Sequence, residues 1–254
     1  MTVLAYHQVD RRRDFAWNML SPEKLSAQME RLKSRGYLGV PLVEATEGSG
    51  RREIGITFDD GLACVIRFAL PVLRPLGFRA TIFVPTAWVG RRNEWDTRLG
   101  GRRVRHAEWE ELREAADAGW EIGSHGHTHR DLTSLSEKEA AEELREARRL
   151  IRNRLGGEAA SIAYPFGRVS EPVVRMAREG GYRRGCLSVT GRGRIDPFRI
   201  GRIGVRRFDT EREFLAKVEG GTLYPWQVWK DRIASFVARG TPRISQRVRR
   251  MGAP

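Results

Sequence analysis

Ile54-Gly55-Ile56-Thr57-Phe58-Asp59-Asp60-Gly61 is the stretch on which the fold reading turns. Residues 54–58 are mostly β-branched or aromatic, the composition of a short buried strand, and the run stops on two adjacent carboxylates and a glycine, residues suited to a turn. In parallel sheets built from βα units, ligands bind at the carboxyl ends of the strands, so a strand that ends in two acids points to chemistry at that edge. Working outward, residues 3–6, 80–84, 121–124, 161–164, 184–189 and 200–205 have the same strand-like character. Helical stretches fill the gaps. Ser21 with Pro22 at the first helical position opens one that stops before Gly36, and Ser136 with Glu139 forms a capping box on another that ends near Gly156. Thr210 with Glu213 repeats the device, and Phe214, Leu215 and Val218 form that helix's apolar face. The alternation predicts an α/β chain with a parallel sheet, one domain over residues 1–240 and a basic, flexible tail over 241–254.

Composition narrows the partners. The formal charge is +14, and only five of the 46 basic residues are lysine. Such an excess attracts anions through a field that salt screens. No basic run is interleaved with aromatics, so no dedicated nucleic-acid partner is expected. Arg243, Arg247, Arg249 and Arg250, after the helix-like Trp226-Gln227-Val228-Trp229, read as an arm able to touch an anionic membrane face. Cys64 and Cys186 form no disulfide framework and no zinc knuckle, and both are expected in the core. No run of eighteen apolar residues occurs, and residues 1–6 read as a strand rather than a cleaved leader. A cytoplasmic location, at the inner membrane face where the tail would act, is the expectation. Residues 84–105 read as a long loop whose Trp88 and Trp95 anchor it to the core or stack on a sugar.

Ser124-His125-Gly126-His127-Thr128-His129 concentrates three of the chain's five histidines just past a strand, and Ala163-Tyr164-Pro165-Phe166-Gly167 ends another. Three strand ends thus equip one site. Neutral imidazoles and one carboxylate can hold a borderline divalent cation with an open position, and a second carboxylate can take a proton. On an extended backbone residues 125, 127 and 129 share a face; on a helical turn only 125 and 129 do, and the helical turn is expected. A His-x-His-x-Asp-His hydrolase motif is excluded, because 129 is His and 130 is Arg.

In this order, these motifs resemble those of the polysaccharide deacetylase family, the NodB-homology or carbohydrate esterase type, over residues 53–190. Thr57-Phe58-Asp59-Asp60-Gly61 carries the resemblance together with Gly77-Phe78-Arg79-Ala80-Thr81-Ile82-Phe83-Val84. So does Gly119-Trp120-Glu121-Ile122-Gly123-Ser124-His125, with His129 and Leu132 following. The resemblance implies a distorted (β/α) barrel of about seven parallel strands. It further implies a metal-dependent hydrolase that removes N-acetyl groups from an amino-sugar-containing glycan or its precursor. Asp59 would be the general base and Asp60, His125 and His129 the metal ligands, with zinc the expected ion and cobalt, nickel or manganese able to substitute. The N–H of Phe166 would meet the oxyanion, and the turn at Tyr164 would wall the groove.

The chain also departs from the family. Ala163 stands where many members carry the arginine that orients the base, and Arg202 is the candidate replacement. No Leu-x-His occurs near the C-terminus to supply a general acid, and His7, just past the first strand, is the candidate for protonating the leaving amine. A hydrolase of cyclic amides or ureides, and a carbohydrate-binding protein that keeps metal without turnover, stay open as alternatives.

Overall fold

The computed structural model describes residues 2–11, 18–45, 51–93, 104–189 and 196–220. Its strands are β1 (Thr2–Tyr6), β2 (Gln8–Val9), β3 (Met19–Leu20), β4 (Tyr37–Val40), β5 (Arg52–Phe58), β6 (Thr81–Val84), β7 (Glu121–Ser124), β8 (Ser161–Ala163), β9 (Arg184–Val189) and β10 (Ile200–Gly204). The helices are α1 (Pro22–Ser34), α2 (Ala63–Phe68), α3 (Leu70–Leu73), α4 (Trp109–Asp117), α5 (Glu137–Leu155), α6 (Glu171–Glu179) and α7 (Glu211–Glu219). Strands pair in the order β1-β10-β9-β8-β7-β6-β5, and β5 pairs back onto β1, closing a parallel barrel of seven. These are the seven strands expected from the sequence. Parallel neighbours require crossovers, which the helices supply.

An eighth strand, β4, was not expected. It pairs with the first half of β5, Gly39 against Ile54, whereas β6 takes only Thr57 and Phe58 of the same strand. β5 thus pairs with β4 along its amino half and with β6 only at its carboxyl end, so the barrel is irregular at this seam. Four residues with a central glycine carry a weak strand signal. The glycine is required by packing: a Cβ at 39 would lie 2.7 Å from Ile56 Cδ1 and 2.8 Å from the Phe78 ring.

Side chains alternate between two cores. Leu4, Ile56, Phe58, Ile82, Ile122, Ile162 and Tyr164 belong to the large cluster that also holds the helix residues, so these positions face outward under the helical layer. Val3, Phe83, Ala163, Cys186 and Ile200, of opposite parity, form a separate buried cluster with Leu42 and fill the barrel. By the same parity Asp59, His125 and Arg202 point inward.

Helix ends follow the expected devices. Ser21 accepts from the Lys24 N–H at α1, Ser136 and Thr210 make capping boxes on α5 and α7, and Gly156 closes α5 at φ 78°. On α7 the buried face is Phe214, Lys217 and Val218, with Leu215 only half-buried. Lys217 replaces Leu215 there because its ammonium donates to both Asp209 carboxylate oxygens and to the Gly204 carbonyl, leaving its stem to pack. Both cysteines are buried. Trp88 is half-buried and donates from Nε1 to the Thr128 carbonyl at 3.2 Å, a contact that ties its loop down. No helix among the described residues is long and apolar enough to cross a membrane. Trp95, the Trp226–Trp229 helix, the domain limit at 240 and the basic tail with Arg243, Arg247, Arg249 and Arg250 lie outside the described residues.

Candidate active site

Asp59 follows β5 and continues its inward parity, with its N–H donating to the Tyr6 carbonyl at 3.0 Å. The chain then turns through the left-handed region at Asp60 (φ 68°) and Gly61 (φ 57°), so two consecutive carboxylates serve one cavity instead of opposite faces of a strand. Asp60, His129 (φ 61°) and Phe166 (φ 59°) are the non-glycine residues at positive φ among the described residues, and all three are in the site. Such backbone costs about 1–3 kcal/mol per residue and persists only where the surroundings hold it.

Asp60, His125 and His129 offer ligand atoms that all lie within 4.8 Å of one another. Asp60 Oδ1 is 3.6 Å from Nε2 of each imidazole. That separation is too long for a hydrogen bond. It is near the edge of a tetrahedron built on bonds of about 2.1 Å, which is about 3.4 Å. His125 Nδ1 lies 2.7 Å from the Ala163 carbonyl, which can only accept, so Nδ1 carries a proton and Nε2 is the atom turned toward Asp60, where the neutral ring would present its lone pair to a cation. Donor identity, spacing and tautomer all fit a divalent cation.

The electrostatics agree. Burial works against every charge here, yet the facing imidazoles hold the Asp60 carboxyl well below the ordinary carboxylate range. Burial also opposes a charged His125, but the Asp60 and Asp59 carboxylates lift its pKa. His129, desolvated and beside His125, is pushed down to about 3. The two acids thus favour positive charge beside them.

Arg202 reaches across the barrel to Asp59, with Nη1 2.6 Å from Oδ1 and Nη2 2.8 Å from Oδ2. Its Nε donates to the Leu187 carbonyl at 2.8 Å, and Nη1 also reaches Thr57 Oγ1 at 3.2 Å. At 2% exposure the guanidinium has no face for a substrate, and its geometry suits orienting the aspartate rather than contacting a ligand. Burial would push the Asp59 carboxyl up, but Arg202 overrides it and the pKa falls below the usual value. His7, at the end of β1 with its side chain 31% exposed, places Nε2 3.8 Å from Asp59 Oδ2.

Two expectations are corrected. Residues 125–129 are not a helical turn: Gly126 (φ 74°) and His129 bend the chain through left-handed conformations, and His125 and His129 converge with their rings edge to face at 4.8 Å. His127 is turned away and hydrogen-bonds Thr86 Oγ1 through Nδ1 at 2.8 Å. Tyr164 does not wall the groove. Strand parity puts its ring outside the barrel at 1% exposure, its N–H goes to the Cys186 carbonyl, and burial pushes its phenol pKa up. Of that turn, half-buried Phe166 faces the site, its ring 4.9 Å from that of His129.

Two residues were missed in the sequence. His106, 1% exposed, donates from Nδ1 to the Asp60 carbonyl at 2.6 Å and so pins the left-handed turn. Glu143 accepts from the N–H groups of His127 at 2.9 Å and Thr128 at 2.8 Å, and from the Thr128 hydroxyl. A signal existed for the second, since Glu143 shares the buried stripe of α5 with Ala140, Leu144, Ala147 and Ile151. An acid on an apolar stripe needs donors.

Comparison with known proteins adds the following. A family model described as polysaccharide deacetylase matches residues 46–185. YxkH of Bacillus subtilis (strain 168), whose name assigns it to the polysaccharide deacetylases, is 26% identical over 197 residues, which is 75% of this chain. The chain spans 65% of the length of that relative. BC0361 of Bacillus cereus, a polysaccharide deacetylase of known structure, superposes with a TM-score of 0.72 at 25% identity, covering 86% of this chain and 68% of that one. The Streptococcus pyogenes deacetylase PplD, solved in complex with acetate, shares the fold with a TM-score of 0.73 at 19% identity, covering 86% of this chain and 98% of that one.

Proposed function

The chain belongs to the polysaccharide deacetylase family, and from that premise we propose that it hydrolyses the N-acetyl group of an amino-sugar-containing glycan or glycan precursor. The observation that carries the reading is the joint presence of a three-donor cation cradle and, beside it, a carboxylate that Arg202 keeps ionised. A divalent cation held by Asp60, His125 and His129, zinc or else cobalt, nickel or manganese, would supply Lewis acidity to the amide carbonyl and to water.

The protein's own groups do the rest. Asp59 takes the proton from the attacking water as oxygen adds to the acyl carbon, and Arg202 holds both oxygens so that one lone pair keeps its aim. The Phe166 N–H, on the turn facing His129, is the donor for the oxyanion. His7 delivers a proton to nitrogen as the C–N bond breaks, since an unprotonated amide nitrogen is a very poor leaving group. One proton is taken by Asp59 and one is given by His7, and their 3.8 Å separation allows the two groups to be reset together. The ionised Asp59 favours turnover over a purely binding role, because a binding site gains little from a buried charged base beside the ligands.

The test is acetate release from short N-acetylglucosamine oligomers by metal-loaded, chelated and reconstituted protein, with ring opening of cyclic ureides to a carboxylate product run in parallel. Acetate that disappears on chelation and returns with Zn²⁺ is expected. Ring opening without acetate would transfer the activity to cyclic amides, and neither product with stoichiometric metal would leave a binding protein.

A further inference from the structure

Between the two histidines of the cation cradle lie only Gly126, His127 and Thr128, and the structure grips this connection from both sides. On one side, Thr86 N–H donates to the Gly126 carbonyl at 3.3 Å, Ala87 N–H to the His127 carbonyl at 2.9 Å, and Trp88 Nε1 to the Thr128 carbonyl at 3.2 Å. On the other side, a single carboxylate, Glu143 of α5, takes the two outward N–H groups and the Thr128 hydroxyl. Glu143 is 6% exposed, and these bonds run to the connection rather than to the side chains of Asp60, His125 or His129. Adjacent N–H groups that converge on one oxygen form a concave backbone arrangement that needs an anion or a strong acceptor inside it. Without the acceptor, two half-buried donors would lose their partner and the left-handed His129 would be free to relax.

We propose that Glu143 is a positioning residue for the cation site: by fixing the 126–128 connection it sets the spacing and orientation of His125 and His129 toward Asp60. This rests on the cradle being a metal site, as set out under Proposed function. The role is one of hydrogen-bond acceptance rather than charge. A glutamine can place its carbonyl oxygen where Oε2 sits and accept both N–H groups, while the Thr128 hydroxyl rotates to accept from the amide NH₂. Alanine supplies nothing.

The experiment loads wild-type, Glu143→Gln and Glu143→Ala proteins with Co²⁺, titrates affinity, records the visible ligand-field spectrum, and melts each apo protein. Wild type and E143Q are expected to share a spectrum and to bind within a few-fold of one another. E143A is expected to bind roughly 10–100-fold more weakly, as supporting groups of metal ligands do, with an altered spectrum. A purely structural role would lower the melting temperature and leave the spectrum of the folded protein alone, so an E143A protein with wild-type spectrum and affinity overturns the proposal. An E143Q as impaired as E143A overturns the acceptor argument and with it the proposal. Should E143A fail to fold, Glu143→Asp, whose carboxylate is one methylene short of the His127 and Thr128 N–H groups, is read in the same way, and an unchanged spectrum and affinity there overturns the proposal. A folded wild-type protein that takes up no Co²⁺ overturns the metal-site reading itself, a result separate from any difference between variants.

Discussion

Arg202 and Asp59, 143 positions apart in the chain, form a two-pronged ion pair inside the barrel, with side chains 2% and 6% exposed. The pair exists because β5 and β10 both flank β1, and because residues 59 and 202 share the inward parity of their strands. Removing the arginine strands a buried carboxylate, whose loss of a partner costs about 3–5 kcal/mol. Arg202→Met is therefore expected to lower denaturant stability by that amount, and Asp59→Asn/Arg202→Met by clearly less. Arg202→Lys should not rescue acetate release, since one ammonium cannot hold both oxygens. Equal stability of the single and double variants would remove the pair's coupling.

His7 is partly exposed and stands 3.8 Å from Asp59, beyond hydrogen-bonding distance, so truncating it is expected to separate chemistry from folding. His7→Ala is expected to change stability by no more than about 0.5 kcal/mol. Its kcat is expected to fall about 10²–10⁴-fold, the range for a lost general acid. Steady-state acetate release alongside a denaturant melt checks both, and a kcat within twofold of wild type would take His7 out of the reaction.

Glu121, 9% exposed at the start of β7, accepts from Thr81 Oγ1 at 2.8 Å and the Val43 N–H at 3.1 Å. Burial pushes its pKa up against these hydrogen bonds. An acid raised in the folded state binds its proton more tightly folded than unfolded, so its contribution declines as pH rises from the unfolded value of about 4.3 through the folded one. Glu121→Gln keeps an acceptor and cannot ionise. Its stability relative to wild type should increase between pH 4 and 8, and a pH-independent difference would contradict this.

Gly167, at φ 63°, has no room for a side chain: an added Cβ would lie 2.1 Å from Ser188 Cβ and 2.4 Å from its backbone nitrogen. Gly167→Ala is expected to lose about 2 kcal/mol or more and to shift the Phe166 turn, lowering kcat. Gly156→Ala is the control, since its φ of 78° is equally left-handed but nothing lies within 4 Å. It should cost about 1 kcal/mol and leave kcat unchanged.

What could be read along the chain was local. Strand 54–58, the capping boxes at Ser136 and Thr210, and the turn at Asp59-Asp60-Gly61 depend on neighbours a few residues away, and the structure places all of them as expected. β4 was missed because its pairing, not its composition, makes it a strand. Tyr164 departs from its expected place because the parity of β8, continued one residue further, sends its ring outward.

The residue types alone determined that acids and imidazoles would gather at strand ends, since hydrophobic runs and turn chemistry are set by short-range sterics and burial. Only the closed barrel decided which of them meet. Closure of β5 onto β1 brings His7 beside Asp59, the inward column of β10 delivers Arg202, and α5 and the loop before α4 supply Glu143 and His106 to backbone turns of other segments. Such contacts join residues from 15 to 143 positions apart, and they depend on strand register and facing direction, quantities that no local window contains.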